Sequence, residues 1–190
     1  MPFAISSSDH HYLQALALSD EAAFDALFTR HYSGMVRYAK SLLPYPSDAA
    51  EDVTADVFCT LWTGRAHLAV QGSLASYLYT AVKHRVYDRL RQQRRTPLRF
   101  DEDEASALQP EFSYLEPDHL LSFQELNQQV LHLIDKLPDR TRTVFQLHRE
   151  GNLTYEEIAT LLAISINSVK THMFRALRFL KSALHVSGVL

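Results

Sequence analysis

The sequence predicts an all-α protein made of two small helical domains joined by an acidic linker. Three observations carry that prediction. Apolar residues recur three and four positions apart along nearly the whole chain, with no convincing alternating run of the kind a half-buried strand needs. Only five glycines occur among 190 residues, although 46% of the chain is hydrophobic, enough for a core in one domain or two. Charge, finally, is blocked: Lys83, Arg85, Arg89, Arg91, Arg94, Arg95 and Arg99 meet only Asp88, whereas Asp101, Glu102, Asp103, Glu104, Glu111, Glu116 and Asp118 follow with no Lys or Arg between them. The acidic block is broken by Pro97, Pro110 and Pro117 and so reads as an extended linker over residues 96–121.

Residues 1–18 precede the first clear helix as an N-terminal extension, expected to be mobile. They lack the basic start and long apolar run of a signal peptide. Ser19-Asp20-Glu21 then opens a helix whose inward side carries Phe24, Leu27, Phe28, Tyr32, Met35, Val36, Ala39, Leu42 and Leu43, and Pro44 and Pro46 end it. A second helix begins at Asp48, with Glu51 three residues on as a capping partner, and runs through Val53, Val57, Leu61 and Trp62 to Gly64. Asp52 and Asp56 lie one turn apart on its outer face beside Glu51, as docking charges for a basic partner or as plain solubilising charges. After a loop, Arg65 to Gly72, a third helix from Ser73 to about Arg95 turns Leu74, Tyr77, Leu78, Ala81, Val82, Val86 and Leu90 inward. Its outer side mixes cations with rings in Tyr79, Lys83, His84, Tyr87, Arg91 and Arg94. Such a face suits an unstacked single strand, although the tyrosines could equally be packing residues.

Beyond the linker, Leu126, Val130, Leu133, Ile134 and Leu137 mark a helix closed by Pro138, and Asp139 starts the next, which carries Val144, Phe145, Leu147 and His148 and stops at Gly151. Thr154 and Glu157 form a capping box for a short helix with Ile158, Leu161 and Leu162 on its core face. A three-residue turn, Ala163-Ile164-Ser165, leads to a last helix that Ser165 can cap. Val169, Met173, Ala176, Leu177 and Leu180 form its inward stripe; Lys170, Thr171, Phe174, Arg175, Arg178 and Lys181 face out. Two short helices with a tight turn and a cationic outer face have the form of a helix-turn-helix, whose second helix fits a major groove. The first two helices of this half supply the buried area that such a pair lacks alone.

Several classes are excluded. The single cysteine, Cys59, allows no intramolecular disulfide or cysteine metal cluster, and fits a reducing, cytoplasmic setting. The ten histidines are scattered without an H-x-x-x-H pair, so no metal site, cofactor or catalytic group is expected. No stretch approaches a membrane span. The formal net charge of -3 gives no general affinity for nucleic acid, so any such binding rests on the local basic faces. From the residues alone two functions stay open: a helix-turn-helix regulator acting at an operator, or a protein that also docks on a partner's basic surface and holds a melted strand.

The ordered series DEAAF..LF..HY (20–32), DAAEDVTADVFCTLW (48–62), SYLYTAVKHRVYDRLR (76–91) and IDKLPDRTRTVFQLHREGNLTYEEIATLLAISINSVKTHMFRALRFL (134–180) resembles the extracytoplasmic-function (ECF, group IV) sigma factors of the sigma-70 family, most of all the iron-citrate-regulator type of Bacteroidetes. The resemblance covers nearly the whole chain. It implies sigma region 2 at residues 19–95, a linker at 96–121 replacing region 3, and sigma region 4 at 122–185. Asp52 and Asp56, with Glu51, would then dock on core RNA polymerase, at the β′ coiled coil; the core also contributes its β subunit. Ala55-Asp56 stands where the family often has Gln-Glu, one polar contact fewer. The Arg65–Gly72 loop would capture a flipped base of the minus-10 promoter element, and Lys83, Arg85, Tyr87 and Arg91 would hold the melted strand. Lys170, Thr171, Phe174, Arg175 and Arg178 would read the minus-35 element, with His172 where an arginine is frequent, a weaker or pH-dependent phosphate contact. The resemblance further implies an anti-sigma partner, membrane-anchored, for a chain that is not itself membrane-inserted.

Overall fold

The computed structural model describes residues 7–44, 49–70, 72–95 and 123–186, and every regular element in them is helical. The helices are α1 (Ser7–Ala17), α2 (Glu21–Leu42), α3 (Ala49–Gly64), α4 (Leu74–Arg95), α5 (Phe123–Asp135), α6 (Asp139–Arg149), α7 (Tyr155–Leu162) and α8 (Ile166–Val186), with a 3-10 turn at Arg65–His67. The acidic linker, Pro46 and Asp48 lie outside the described residues.

Helix starts follow local chemistry. The Asp20 carboxylate accepts from the Ala22 and Ala23 amides at 2.9 and 3.2 Å, satisfying two of the four donors a helix N-terminus leaves open. The Thr154–Glu157 capping box is complete: Glu157 N–H donates to the Thr154 hydroxyl at 3.2 Å, and Thr154 N–H donates to the Glu157 carboxylate at 2.9 Å. Ser165 caps α8 by accepting from Ser168 N–H at 3.0 Å. Gly151 does not supply the left-handed residue that ends α6; Asn152 does, with φ 54°. Gly151 is required instead for space, because a Cβ there would sit 2.5 Å from the Leu147 carbonyl oxygen and 3.1 Å from Tyr79 Cε2.

In the N-terminal bundle α2, α3 and α4 pack around Leu27, Met35, Ala39, Val53, Val57, Leu61, Leu78, Val82 and Val86. The N-terminal extension is not all loose: α1 lies against α2 and the 3-10 turn and buries Leu16 completely. In the C-terminal bundle α8 packs on α5, α6 and α7 through Val169, Met173, Ala176 and Leu180. Leu177, expected in that stripe, falls at its edge and stays 54% exposed.

The two bundles also pack on each other, α6 on α2 and α7 on α4. This contact overturns the expected placement of Tyr79 on an outer face: it is 1% exposed, because Gly34 of α2 and Gly151 after α6 leave room for its ring between the bundles.

Candidate nucleic-acid interface

Three side-chain sets occupy distinct faces. The acidic set is on α3. Glu51, Asp52 and Asp56 are all exposed, as the helix needs when Val53, Thr54, Val57 and Phe58 fill its inward side. Glu51 meets Lys40 of α2 at 3.4 Å, and Asp52 meets both Arg89 terminal nitrogens of α4 at 3.4 Å. At that length and exposure each pair contributes at most about 1 kcal/mol, so a partner's cations can displace it. Arg89 was legible only as one of a basic run; the helix crossing makes it the neighbour of Asp52.

The basic-aromatic set is on α4. Arg85 and Tyr87 are exposed, Arg85 donating to the Thr60 hydroxyl at 3.0 Å, and Arg91 pairs with Asp88 on its own helix. Lys83 is half-buried, its ammonium 6.0 Å from the Tyr87 ring centroid and donating to the Leu161 carbonyl of α7 at 2.7 Å. Thus α4 presents Arg85, Tyr87 and Arg91 to solvent, while Lys83 is engaged by the other bundle. In the Arg65–Gly72 loop, Arg65 lies 4.3 Å over the Trp62 ring and donates to Ser19 at 3.0 Å, so its guanidinium braces the turn.

The third set is on α8. Lys170, Thr171, Phe174, Arg175 and Arg178 are exposed along one face, with Phe174 64% open and the Arg178 guanidinium 5.9 Å from its ring centroid. A cationic helix face around one open ring offers phosphate contacts together with an apolar surface of the kind a thymine methyl fits. His172 is turned from that face toward α6, its Nδ1 3.0 Å from the Thr141 hydroxyl. Burial, then the charges of Arg175 and Arg140, hold its imidazole below the ordinary histidine range, so it is neutral at pH 7.

Sequence reasoning missed the group where the bundles meet. Arg37 Nε donates to Glu150 at 2.7 Å, the Ser73 hydroxyl donates to Glu157, and Tyr38 is buried beside Tyr79 with ring centroids 5.6 Å apart. Burial first, reinforced by Glu150 for Tyr79 and by Tyr87 for Tyr38, pushes both hydroxyls well above the ordinary phenol range. One signal was available: Gly34 sits mid-helix, where glycine costs about 1 kcal/mol against alanine unless another group needs the space. A cleft of about 250 Å³ adjoins the contact, lined by Tyr38, Lys83, Tyr87, Arg140 and His172 among others.

Among the described residues, no helix is long and apolar enough to cross a membrane, and no three His, Cys, Asp or Glu side chains gather to hold a metal.

Comparison with known proteins follows the same division. The family model "Sigma-70 region 2" matches residues 27–96, and "Sigma-70, region 4" matches residues 127–180, together well over half of the chain. The chain is 27% identical to "ECF RNA polymerase sigma factor SigK" of Mycolicibacterium vanbaalenii over 92% of its length and 88% of the relative's. It is also 27% identical to the SigK of Mycobacterium tuberculosis strain H37Rv, over 98% of both chains. Two solved structures share the fold with a TM-score of 0.51 and 20% identity: CnrH in complex with the cytosolic domain of CnrY, covering 94% of this chain and 98% of that one, and the sigma factor RpoE of Bartonella quintana with the anti-sigma factor NepR, covering 86% and 97%.

Proposed function

The chain belongs to the ECF branch of the sigma-70 family, and from that premise we propose that it directs core RNA polymerase to specific promoters by a two-point grip and helps open the minus-10 element. It acts by binding, as a regulatory subunit without covalent chemistry of its own. The single observation that carries the reading is the separation of one acidic and two basic surfaces on α3, α4 and α8, one for the enzyme and two for the DNA.

Under this reading the domains run 19–95 and 122–185, with an extension at 1–18 and an acidic tether at 96–121. Asp52, Asp56 and Glu51 dock on the β′ subunit of a core that also contains β, Asp52 exchanging Arg89 for a polymerase cation. Arg85, Tyr87 and Arg91, with Lys83 once released, hold the unstacked strand, the ring for stacking and the cations for phosphate. Lys170, Thr171, Phe174, Arg175 and Arg178 read the minus-35 duplex. His172, neutral and bonded to Thr141, positions α8 on α6 and supplies no charge to the DNA. An anti-sigma factor, membrane-anchored, controls a chain that works in the cytoplasm. The order and spacing of the motifs support the iron-citrate-regulator type.

Transcription with purified bacterial core polymerase on a pool of genomic fragments tests the proposal. Promoter-dependent product that disappears with Asp52→Lys is the expected result. Product unaffected by that change refutes the docking role, and no promoter-dependent product from the unaltered chain refutes the sigma reading.

A further inference from the structure

We propose that α1 positions the base-capturing loop: Asp9 and the turn at Ser19 pin the two ends of the Arg65–Gly72 segment, so that the loop meets an unstacked minus-10 base already in its binding arrangement. Asp9 and Ser19 are positioning residues, and the inference rests on the reading of that loop as the segment that captures the base.

The start of the loop is held through Ser19. Arg65 Nε donates to the Ser19 hydroxyl at 3.0 Å, while the same guanidinium donates to the Trp62 carbonyl and lies 4.3 Å from that ring's centroid. Ser19 is itself fixed. It stands in the left-handed region at φ 62°, its N–H donates to the Leu16 carbonyl at 2.9 Å, and the Asp20 N–H donates to the Ala15 carbonyl at 3.0 Å. That pair of bonds is the left-handed stop of a helix, commonly built on glycine, so the Ser19 hydroxyl is presented by α1 rather than by a free turn.

The end of the loop is held through Asp9, in the first turn of α1. Its carboxylate accepts from the N–H of Leu74, the first residue of α4, at 3.3 Å, and the Ser73 hydroxyl accepts from Ser76 N–H at 3.1 Å. Two donors that a helix N-terminus leaves open are thereby satisfied, one of them by a negative charge that suits the helix dipole. Between the two anchors, Leu16 is completely buried and α1 lies on the 3-10 turn. From the loop side Val70 is buried and Leu68 half-buried, while Ala66, His67 and Ala69 stay exposed. The segment is thus fixed from beneath and open above.

A base that leaves the stack gains most from groups already in place, because ordering a loop at the moment of binding subtracts from affinity. Where only a fraction of the loops has the competent shape, apparent affinity falls by that fraction. Folding α1 against the loop moves the ordering cost from binding to folding. Losing one hydrogen bond of cap strength shifts such a balance by about three- to fivefold.

Holoenzyme assembled from bacterial core polymerase and the full chain tests this. The probe is a fluorescein-labelled single strand carrying the minus-10 region of a promoter recovered in the transcription assay above, intact or with one base at a time replaced by an abasic site. At the captured position the abasic site should weaken binding by the unaltered holoenzyme. Asp9→Ala should weaken binding of the intact strand about three- to fivefold, and should make little difference on the strand abasic at that one position, since a loop with no base to hold gains nothing from being set. Asp9→Asn keeps an oxygen that can accept from Leu74 N–H, and should bind within about twofold of the unaltered chain. Ser19→Ala, which removes the acceptor of Arg65, should act as Asp9→Ala does. Affinity for core, read by competition against the unaltered chain, should stay within about twofold in every variant, because the α3 carboxylates are untouched. Equal losses on intact and abasic strands, an Asp9→Asn chain as weak as Asp9→Ala, or unchanged binding by both alanine variants overturns the positioning role. If no abasic position weakens the unaltered holoenzyme, it is the base-capture reading that has failed, and the inference falls with it.

Discussion

His31 shows how one buried side chain ties stability to pH. It is 5% exposed against α1, and burial, with Arg30 adding to it and Asp9 opposing, holds its imidazole down to about 4 from the ordinary 6.5. Its Nδ1 is buried without a hydrogen-bond partner, which suits a neutral ring. Between those two values the unfolded chain binds a proton that the folded chain refuses. Stability is therefore complete above about pH 6.5 and falls as pH drops toward 4, by an amount approaching about 3 kcal/mol. At pH 5.5 roughly 1 kcal/mol of that is already lost by the same relation. Urea unfolding of His31→Leu should show a difference between pH 7 and 5.5 smaller than the unaltered chain's by about 1 kcal/mol. An unchanged difference would place the acid sensitivity elsewhere. Such a site is invisible to periodicity, because a histidine at position 31 reads as polar until α1 is known to cover it.

At the scale of elements, helix ends were legible and helix environments were not. Asp20, Thr154 with Glu157, and Ser165 mark starts by hydrogen-bonding chemistry confined to a few residues, and the structure uses each within a residue of its predicted place, whereas α5 stops at Asp135, three residues short of Pro138. The burial of Tyr79 on α4 and of Tyr38 on α2 was not legible, since a 3.6-residue period separates two faces of each helix without saying that a second bundle covers part of the outer one. Leu177 erred the other way, because an apolar side chain at a stripe's edge is buried only if a neighbouring helix reaches it. Two predictions belong here. Removing the α7 cap with Thr154→Ala should cost about 1 kcal/mol or more in urea unfolding, as it leaves Glu157 N–H without its acceptor and takes one partner from the buried Glu157 carboxylate. A loss below a few tenths would mean that α7 is held by packing alone. Ala163 ends α7 in the left-handed region at φ 53°, a conformation that costs a residue with a Cβ about 1 kcal/mol. Ala163→Gly relieves that strain but loosens the unfolded chain, so a net gain of about 0.5 kcal/mol is expected in the same measurement; a net loss would show that the turn tolerates alanine without strain.

For the whole molecule, the net charge of -3 and the proposed DNA affinity are reconciled by segregation. Glu51, Asp52 and Asp56 gather on α3, while the cations of α4 and α8 stand on faces of their own, so the field near each surface has its own sign. Sequence blocks made that segregation visible, but the packing of one domain on the other could not be read from them, because it depends on a few distant pairs such as Arg37 with Glu150. The α8 face gives the sharpest test of the charge argument. Each phosphate neutralised releases condensed counterions, so affinity for a minus-35 duplex should fall with salt on a log–log plot with a slope near -0.9 per contact. If Lys170 and Arg175 each meet a phosphate, replacing both with alanine should flatten that slope by roughly 2 while weakening matched and mismatched duplexes alike. Phe174→Ala should do the opposite: it removes an open ring that carries no charge, so the slope stays and the preference between duplexes shrinks. Fluorescence anisotropy across a salt series, on the cognate duplex and on one with its central bases exchanged, separates the two. A slope unmoved by the double charge removal would take α8 off the phosphate backbone, and preference unmoved by Phe174→Ala would leave base reading to Thr171 and the remaining polar groups of that helix.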